Sequence, residues 1–544
     1  MQQINTIFGQ WRPRLRLVGE NVPTVDVIIT CCNEDIDIVL DTVRAALRLD
    51  YPQNRYRVIV ADDGSSAELS AVIFGMAERF QNLYYTARVK RGPDGYKAGN
   101  LNHTLKFLSK LPQGSAELVA GLDADMIPET RWLRAMTPHL VENPRLAVVC
   151  PPQHYYNVPL NDPLWQAQKH SYRCKAFTRD MADSAWCTGS GWVIRREALI
   201  EIGGFPLASL TEDLLTSTLL LAAGWKSGYV AEALQYGQVP ESYHAHVKQF
   251  TRWTVGLAQI GAYMRFTIPR YRIGKLTLKQ RLACMEDQII PFFSIINTMN
   301  MMLMPIFLFT DLQFVYYRDL EQMKVLLRLK CLGIIFTWIN LFHTSLFSGF
   351  QACVREGSNE LWMAPYYALA ITRSIFLPAW LGGKVTGFTP TGTISNSLNE
   401  RQRSLRSPMI YRLKNIMINC GAIFHLGLLV LCSFAITNRV RNSLQYYSGD
   451  WQSLWISLLT TVAWPPMQWF QQISACLTPL QYAIFPPDVP DRESLLDRDG
   501  ITGVAYPTSK AKQEQSPVWE ARYVQLHCLS LPYVVCVLIS TWWI

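Results

Sequence analysis

Four short clusters in the first half of the chain carry side chains whose types and spacing suit chemistry. Asp123-Ala124-Asp125 ends an apolar run, Leu118–Leu122. Two carboxylates one residue apart repel each other unless a cation lies between them, and hard divalent cations prefer oxygen ligands. A strand-end turn that happens to use Asp is the plainer alternative. Asp62-Asp63-Gly64 closes a second apolar run in the same way. Thr211-Glu212-Asp213 precedes an apolar helix, Leu214–Ala223, where acids also serve as N-terminal caps favoured by the helix dipole. Gln249-Phe250-Thr251-Arg252-Trp253 stands shortly before the first long apolar stretch, a place where amphipathic helices commonly carry Arg and Trp at headgroup level. Two other candidates read as non-catalytic. His244 and His246 have no third ligand in view, and Arg91-Gly92-Pro93-Asp94-Gly95 matches no full phosphate-loop pattern and reads as a flexible loop over the site.

The elements that must position these residues follow from periodicity. Val25–Thr30, Tyr56–Ala61, Leu83–Ala87, Leu118–Leu122 and Leu146–Cys150 are short apolar runs suited to buried strands. Helical patterns at Ile36–Leu49, Ala67–Phe80, from about Ala98, and Glu129–His139 separate them. Such alternation predicts an α/β domain with a mostly parallel sheet covered on both faces, and ligands in these sheets bind outside the carboxyl ends of the strands. Both Asp62-Asp63 and Asp123-x-Asp125 follow strands, so the topology is expected to bring them to one rim.

The second half is different. The chain has 544 residues, 49% apolar and only 17% charged, and long charge-poor runs begin near residue 289. Ile289–Thr310 has no charged residue in 22, Trp451–Phe485 has none, and Cys331–Phe350, Ile416–Thr437 and Tyr523–Ile544 carry only a histidine. About 20 apolar residues span a bilayer core, so five membrane helices are expected, with Leu361–Gly383 as a sixth or as an interfacial helix. The expected organisation is a basic tail over 1–20, a catalytic domain over 21–260, an interfacial amphipathic segment over 261–288 and a membrane domain over 289–544. The polar stretch 488–515 reads as a solvated loop between the last two spans. No secretory signal is read at the start, so the α/β half is expected in the cytosol. Arg401, Arg403, Arg406, Arg412 and Lys414 ahead of the Ile416 run agree with that orientation, and Arg439 and Arg441 after it do not. The net charge of +9 suits a membrane-attached protein handling phosphorylated substrates and is too modest to argue for nucleic acid. The thirteen cysteines are scattered without metal spacing.

Taken together and in order, Asp62-Asp63-Gly64, Asp123-Ala124-Asp125, Thr211-Glu212-Asp213 and Gln249-x-x-Arg252-Trp253 resemble the family-2 glycosyltransferases of the cellulose synthase and cellulose synthase-like type. Lys97-Ala98-Gly99-Asn100-Leu101-Asn102 and Trp186-Cys187-Thr188-Gly189-Ser190 also resemble segments of that family, near the diphosphate and the acceptor terminus respectively. The resemblance implies a glycosyltransferase A-like fold and a nucleotide-sugar donor, usually UDP-glucose. By that likeness Asp125 and Asp123 hold Mg2+ or Mn2+ against the diphosphate. Thr30, Glu34, Asp62, Asp63, Lys97, Gln249 and Arg252 contact the donor together with Asp123. Trp186, Cys187, Glu212 and Trp253 face the acceptor, and Asp213 is the general base with Asp63 supporting catalysis.

A single in-line displacement at the anomeric carbon inverts it, so an α-linked donor gives a β-linked product, here a growing polysaccharide. Lys384–Gly392 resembles the family's gating loop, with Thr386 where Phe is usual and Thr391 where Lys is usual. One alternative is a non-processive membrane transferase placing a single sugar on a lipid or small acceptor. A more distant one is a transporter or scaffold that merely binds nucleotide.

Overall fold

The computed structural model describes residues 11–90, 95–159, 162–268, 274–310, 312–383, 398–513 and 521–543. The loop at 91–94 and the gating-like segment 384–392 lie outside them. The α/β half is built on a seven-stranded sheet of order β3-β2-β1-β4-β8-β6-β9. Its strands are β1 (Val25–Cys31), β2 (Tyr56–Asp62), β3 (Leu83–Ala87), β4 (Leu118–Asp123), β6 (Leu146–Cys150), β8 (Val193–Arg195) and β9 (Lys226–Tyr229). A smaller sheet joins β5 (Ile127–Pro128), β10 (Gln235–Gly237) and β7 (His154–Tyr155).

The four strands β3, β2, β1 and β4 are parallel, and β8 runs antiparallel between β4 and β6. Register fixes the site: Cys31 pairs with Asp62 and Thr30 with Asp123, so both acidic strand ends finish level with the end of β1. Strand order reverses at β1, which opens the crevice where such sheets bind ligands.

Every residue of β1 and β2 is buried. Val25, Val27 and Ile29 face α1 (Ile36–Ala46) and α4 (Trp132–Glu142), whereas Ile28 and Ile59 face α3 (Tyr96–Leu108). Continuous apolar strands of this kind are what a sheet covered on both faces requires. Ser66 caps α2 (Ala67–Ala77) by accepting from the Leu69 amide, which starts that helix directly after the Asp62-Asp63 turn.

Among the described residues three helices are long and apolar enough to cross a bilayer: α7 (Leu278–Phe309), α8 (Leu320–Ser348) and α10 (Ile423–Tyr446). Their outward faces are apolar, with Phe293, Ile296, Met302 and Phe336 all more than half exposed, the arrangement lipid favours. The rest of the expected spans differ from the simple count of charge-free runs. Trp451–Phe485 is two shorter helices, α11 (Trp451–Thr460) and α12 (Gln468–Ile484), separated at Pro465-Pro466. The first part of Leu361–Gly383, as far as Ile371, lies in α9 (Phe350–Ile371), which carries the buried Arg355 and Glu356. The final helix, α13, is Ala521–Ser540. Helix α7 starts eleven residues before the expected span at Ile289 and takes up much of the 261–288 segment.

Two polar stretches are docked on the catalytic half. In the basic N-terminal segment, Arg12 Nε lies 2.6 Å from Asp180 and Arg16 pairs with Glu232. The stretch expected as a solvated loop forms a strap over 489–512 with a hairpin, β11 (Leu496–Arg498) and β12 (Ala505–Pro507). Asp41, 1% exposed on α1, accepts from Arg492 and from Arg498 at 2.6 Å, and Lys512 reaches Glu129 at 2.6 Å. Leu496 and Ala505 pack with Ala45 and Ile127, two residues beyond Asp125. Asp41→Ala removes one acceptor from each of two guanidiniums, which keep Glu493. Discounting for their partial exposure, it is expected to cost about 1–3 kcal/mol, read as a lowered thermal midpoint.

Candidate active site

One side of the crevice is formed by the loops after β1 and β2. Asp62 accepts from the amides of Gly64 and Ser66, both at 2.7 Å, and from the Tyr85 hydroxyl at 2.9 Å. Its oxygens are therefore spent on shaping the turn. A Cβ at Gly64 would fall 2.3 Å from Asn33 Oδ1, so the glycine lets the two loops close on each other. Asp63 is gripped by Arg88 (2.5 Å) and Lys90 (3.0 Å). Paired in this way its carboxylate is held by the loop after β3. Glu34 accepts from the Cys32 amide, and burial raises its pKa despite that bond, with Asp123 and Asp62 adding to the rise. The Thr30 hydroxyl lies 3.5 Å from Asp123 Oδ1.

The centre of the site is Gly189. A Cβ built there would lie 3.5 Å from Asp213 Oδ2 and from Gln153 Nε2, and 3.6 Å from Asp123 Oδ2. Carboxylates ninety residues apart thus converge on one point. Lys97, from the first turn of α3, enters the same cluster: its ammonium is 2.5 Å from Asp123, 2.6 Å from the Gly189 carbonyl and 3.9 Å from Glu212. Glu212 and Asp213 open the helix α5 (Glu212–Ala223), and Asp213 accepts from the Gly189 amide at 2.6 Å. Burial raises the pKa of both acids; Lys97 opposes the rise in each. Lys97→Gln removes that opposition, so the acids hold their protons to higher pH. The acid limb of the rate profile is then expected to move upward in pH, measured as initial rate against pH.

Asp125 is half-buried beyond β4, and the Lys97 ammonium that contacts Asp123 acts on it only from a distance. Burial pushes its pKa up to about 7, with Asp123 and Glu34 adding repulsion. A carboxylate this close to keeping its proton is where a cation relieves the cost, so the residues fit a divalent ion at Asp125 with Asp123 beside it. Among the described residues no cluster of three or more His, Cys, Asp or Glu forms a complete cage. Magnesium typically needs only one or two carboxylates when a phosphate supplies the remaining oxygens.

The wall opposite the strands is the helix α6 (Tyr243–Met264), started by the Ser242 cap. Arg252 is drawn into the acid cluster: burial lowers its pKa, and Glu212, Asp213 and Asp123 oppose that in turn. Gln249 lies on the same helix, half-buried, and Trp253 packs on Phe250 with ring centroids 4.9 Å apart. His246 is buried between Phe250 and Trp362, a structural position. The Trp186 indole donates to Asp287 at 2.9 Å, and Arg179 sits over its ring. Cys187 is buried in the core cluster of Trp192 and Phe205, so its side chain contributes packing instead of an acceptor contact.

Ser190, at the end of the Trp186–Ser190 segment, and two acids outside the sequence motifs, Asp287 and Glu356, support the site. Ser190 Oγ accepts from the Asp123 amide at 3.0 Å and donates to Gln235 at 2.8 Å, which fixes the turn carrying the acids. Asp287 of α7 ties Arg179 (2.5 Å) and Trp186 to the membrane half, and Glu356 of α9 holds Ser171 and Lys175.

The family described as Glycosyltransferase like family 2 matches residues 23–256, and the family described as Cellulose synthase matches residues 194–455. The chain is 30% identical over 284 residues to the cellulose synthase catalytic subunit [UDP-forming] of Komagataeibacter sucrofermentans, covering 50% of this chain and 35% of the relative. It is 30% identical over 308 residues to the cellulose synthase 1 catalytic subunit [UDP-forming] of Komagataeibacter xylinus, covering 54% and 37%. The corresponding subunit of Pseudomonas fluorescens is 31% identical over 288 residues, covering 51% and 36%. The chain thus spans little more than a third of the length of these relatives. A solved mannosyltransferase from Pyrobaculum calidifontis, in complex with GDP-Man and Mn2+, aligns at 18% identity with a TM-score of 0.44, covering 66% of this chain and 93% of that one.

Proposed function

We propose that the chain is a family-2 glycosyltransferase of the cellulose synthase type that moves glucose from UDP-glucose onto the growing end of a β-linked glucan. The observation that carries this reading is the convergence of Asp123, Asp213 and Lys97 on Gly189, at the crevice between the strand ends and α6. Asp213, whose pKa burial raises, takes the proton from the acceptor hydroxyl as that oxygen attacks the anomeric carbon. The bond to the diphosphate breaks from the opposite face, and the anomeric centre inverts.

Lys97 and Arg252 set the positive charge of the pocket, and Arg252 offers a planar fork to the departing diphosphate. A magnesium or manganese ion held by Asp125 and Asp123 would supply the neutralisation of diphosphate charge that this leaving group needs. Asp62 and Asp63 hold the donor loops, and Thr30 and Glu34 lie where the nucleoside would rest. Trp253 and Trp186 present ring faces to the acceptor sugar. The α/β half faces the cytosol, where nucleotide sugars are made, and the product leaves beside α6 and α7 through the membrane half.

The test is product analysis from purified full-length protein in lipid, given each nucleotide sugar in turn. A polymer that a β-glucanase digests is expected from UDP-glucose. An organic-soluble product carrying one added sugar contradicts polymer synthesis.

A further inference from the structure

A cavity of about 390 Å³ lies where three separated stretches meet: Trp11 of the N-terminal segment, the 152–173 region of the catalytic half, and Ala511–Gln513 of the strap. Its size is within the range of small-molecule sites. None of the acids of the active site lines it, and among the described lining residues there is no carboxylate at all. Three cations do line it. Lys169 and Arg173 stand four residues apart on the helical stretch 169–180, the spacing that puts both on one side. Lys512 completes the set, held at the wall by Glu129 and lying 5.2 Å from the centre of the Tyr236 ring. Among the lining residues are the aromatic rings of Trp11, whose centroid lies 4.2 Å from that of Phe177 in a tilted contact, and Tyr172. Aromatic rings beside cationic side chains suit one chemistry: a ring compound bearing a phosphate.

The cavity is also wired to the active site. Gln153 forms part of its wall, and its Oε1 accepts from the Tyr155 hydroxyl at 3.0 Å and the Tyr172 hydroxyl at 3.2 Å. The other end of the same amide, Nε2, faces the point at Gly189 shared with Asp123 and Asp213. A ligand that bonds to either tyrosine must change what Gln153 receives on one side and hence how it sits on the other. We propose that this cavity is a regulatory site for a nucleoside monophosphate or a sugar phosphate, with Gln153 passing its occupancy to the acid cluster. The regulatory half of this assignment rests on the transferase reading, and the binding half does not.

The experiment uses the full chain in lipid nanodiscs, with UMP, glucose 1-phosphate and inorganic phosphate as probes in equilibrium dialysis. One of the two ring compounds is expected to bind saturably and at least about tenfold more tightly than phosphate alone. The K169E/R173E variant is expected to lose that binding by about tenfold or more while keeping the KM for donor. Occupancy is expected to alter kcat in the unmodified protein and not in Gln153→Ala. Absence of saturable binding by either ring compound overturns the proposal. Binding that survives K169E/R173E and is displaced by donor overturns it too, because the probe is then in the active site. Binding that leaves turnover unchanged overturns the regulatory assignment.

Discussion

Asp213→Asn is expected to lower kcat by about 10²–10⁴-fold, the usual contribution of a positioned general base, with little change in the KM for donor. The fold should survive. Asn keeps an oxygen to accept from the Gly189 amide, and it removes a charge that burial and Asp123 already disfavour, so the thermal midpoint should hold or rise. Glu212 is the neighbouring acid, but it lies 3.9 Å from Lys97 and is almost fully buried, so it is poorly placed to take over the proton. Turnover within a few-fold of the unmodified protein would remove Asp213 from the mechanism. It would then favour the view of the α/β half as a nucleotide-binding module.

Removal of divalent cations has the second large effect. Chelation is expected to reduce transfer to background, and added magnesium or manganese is expected to restore it, read as release of nucleoside diphosphate. Because Lys97 already neutralises Asp123, the burden of holding the ion falls on Asp125. Asp125→Asn should therefore raise the cation concentration needed for half-maximal rate by more than about tenfold, a loss above roughly 1.4 kcal/mol. Asp62→Asn should not show this signature, since Asp62 is engaged by Gly64, Ser66 and Tyr85. Undiminished turnover in chelator contradicts the metal assignment.

The parts of this architecture legible in the sequence are those set by local pattern. Apolar runs ending in Asp62-Asp63 and Asp123-x-Asp125 specify strands and place acids at their ends, and parallel pairing then brings the acids to one rim. Less legible is what depends on distant partners. Lys97 reads as a residue near the diphosphate, yet it sits inside the acid cluster because Asp123, Glu212 and the Gly189 carbonyl all attract it. The strap reads as solvated because Pro, Gly and charge are also what loops use. Its counter-signal was Asp41, an acid among Val39, Leu40 and Val43 on the buried face of α1. Charge-free runs locate the membrane half but miscount its helices, since Pro465-Pro466 divides one run into two short helices.

The account stands most directly on the linkage formed when the purified chain in lipid meets UDP-glucose and magnesium or manganese. Proton NMR of the first-formed product should show β-anomeric signals, the consequence of a single displacement with Asp213 as base. An α linkage, or no transfer from any nucleotide sugar under these conditions, would contradict it.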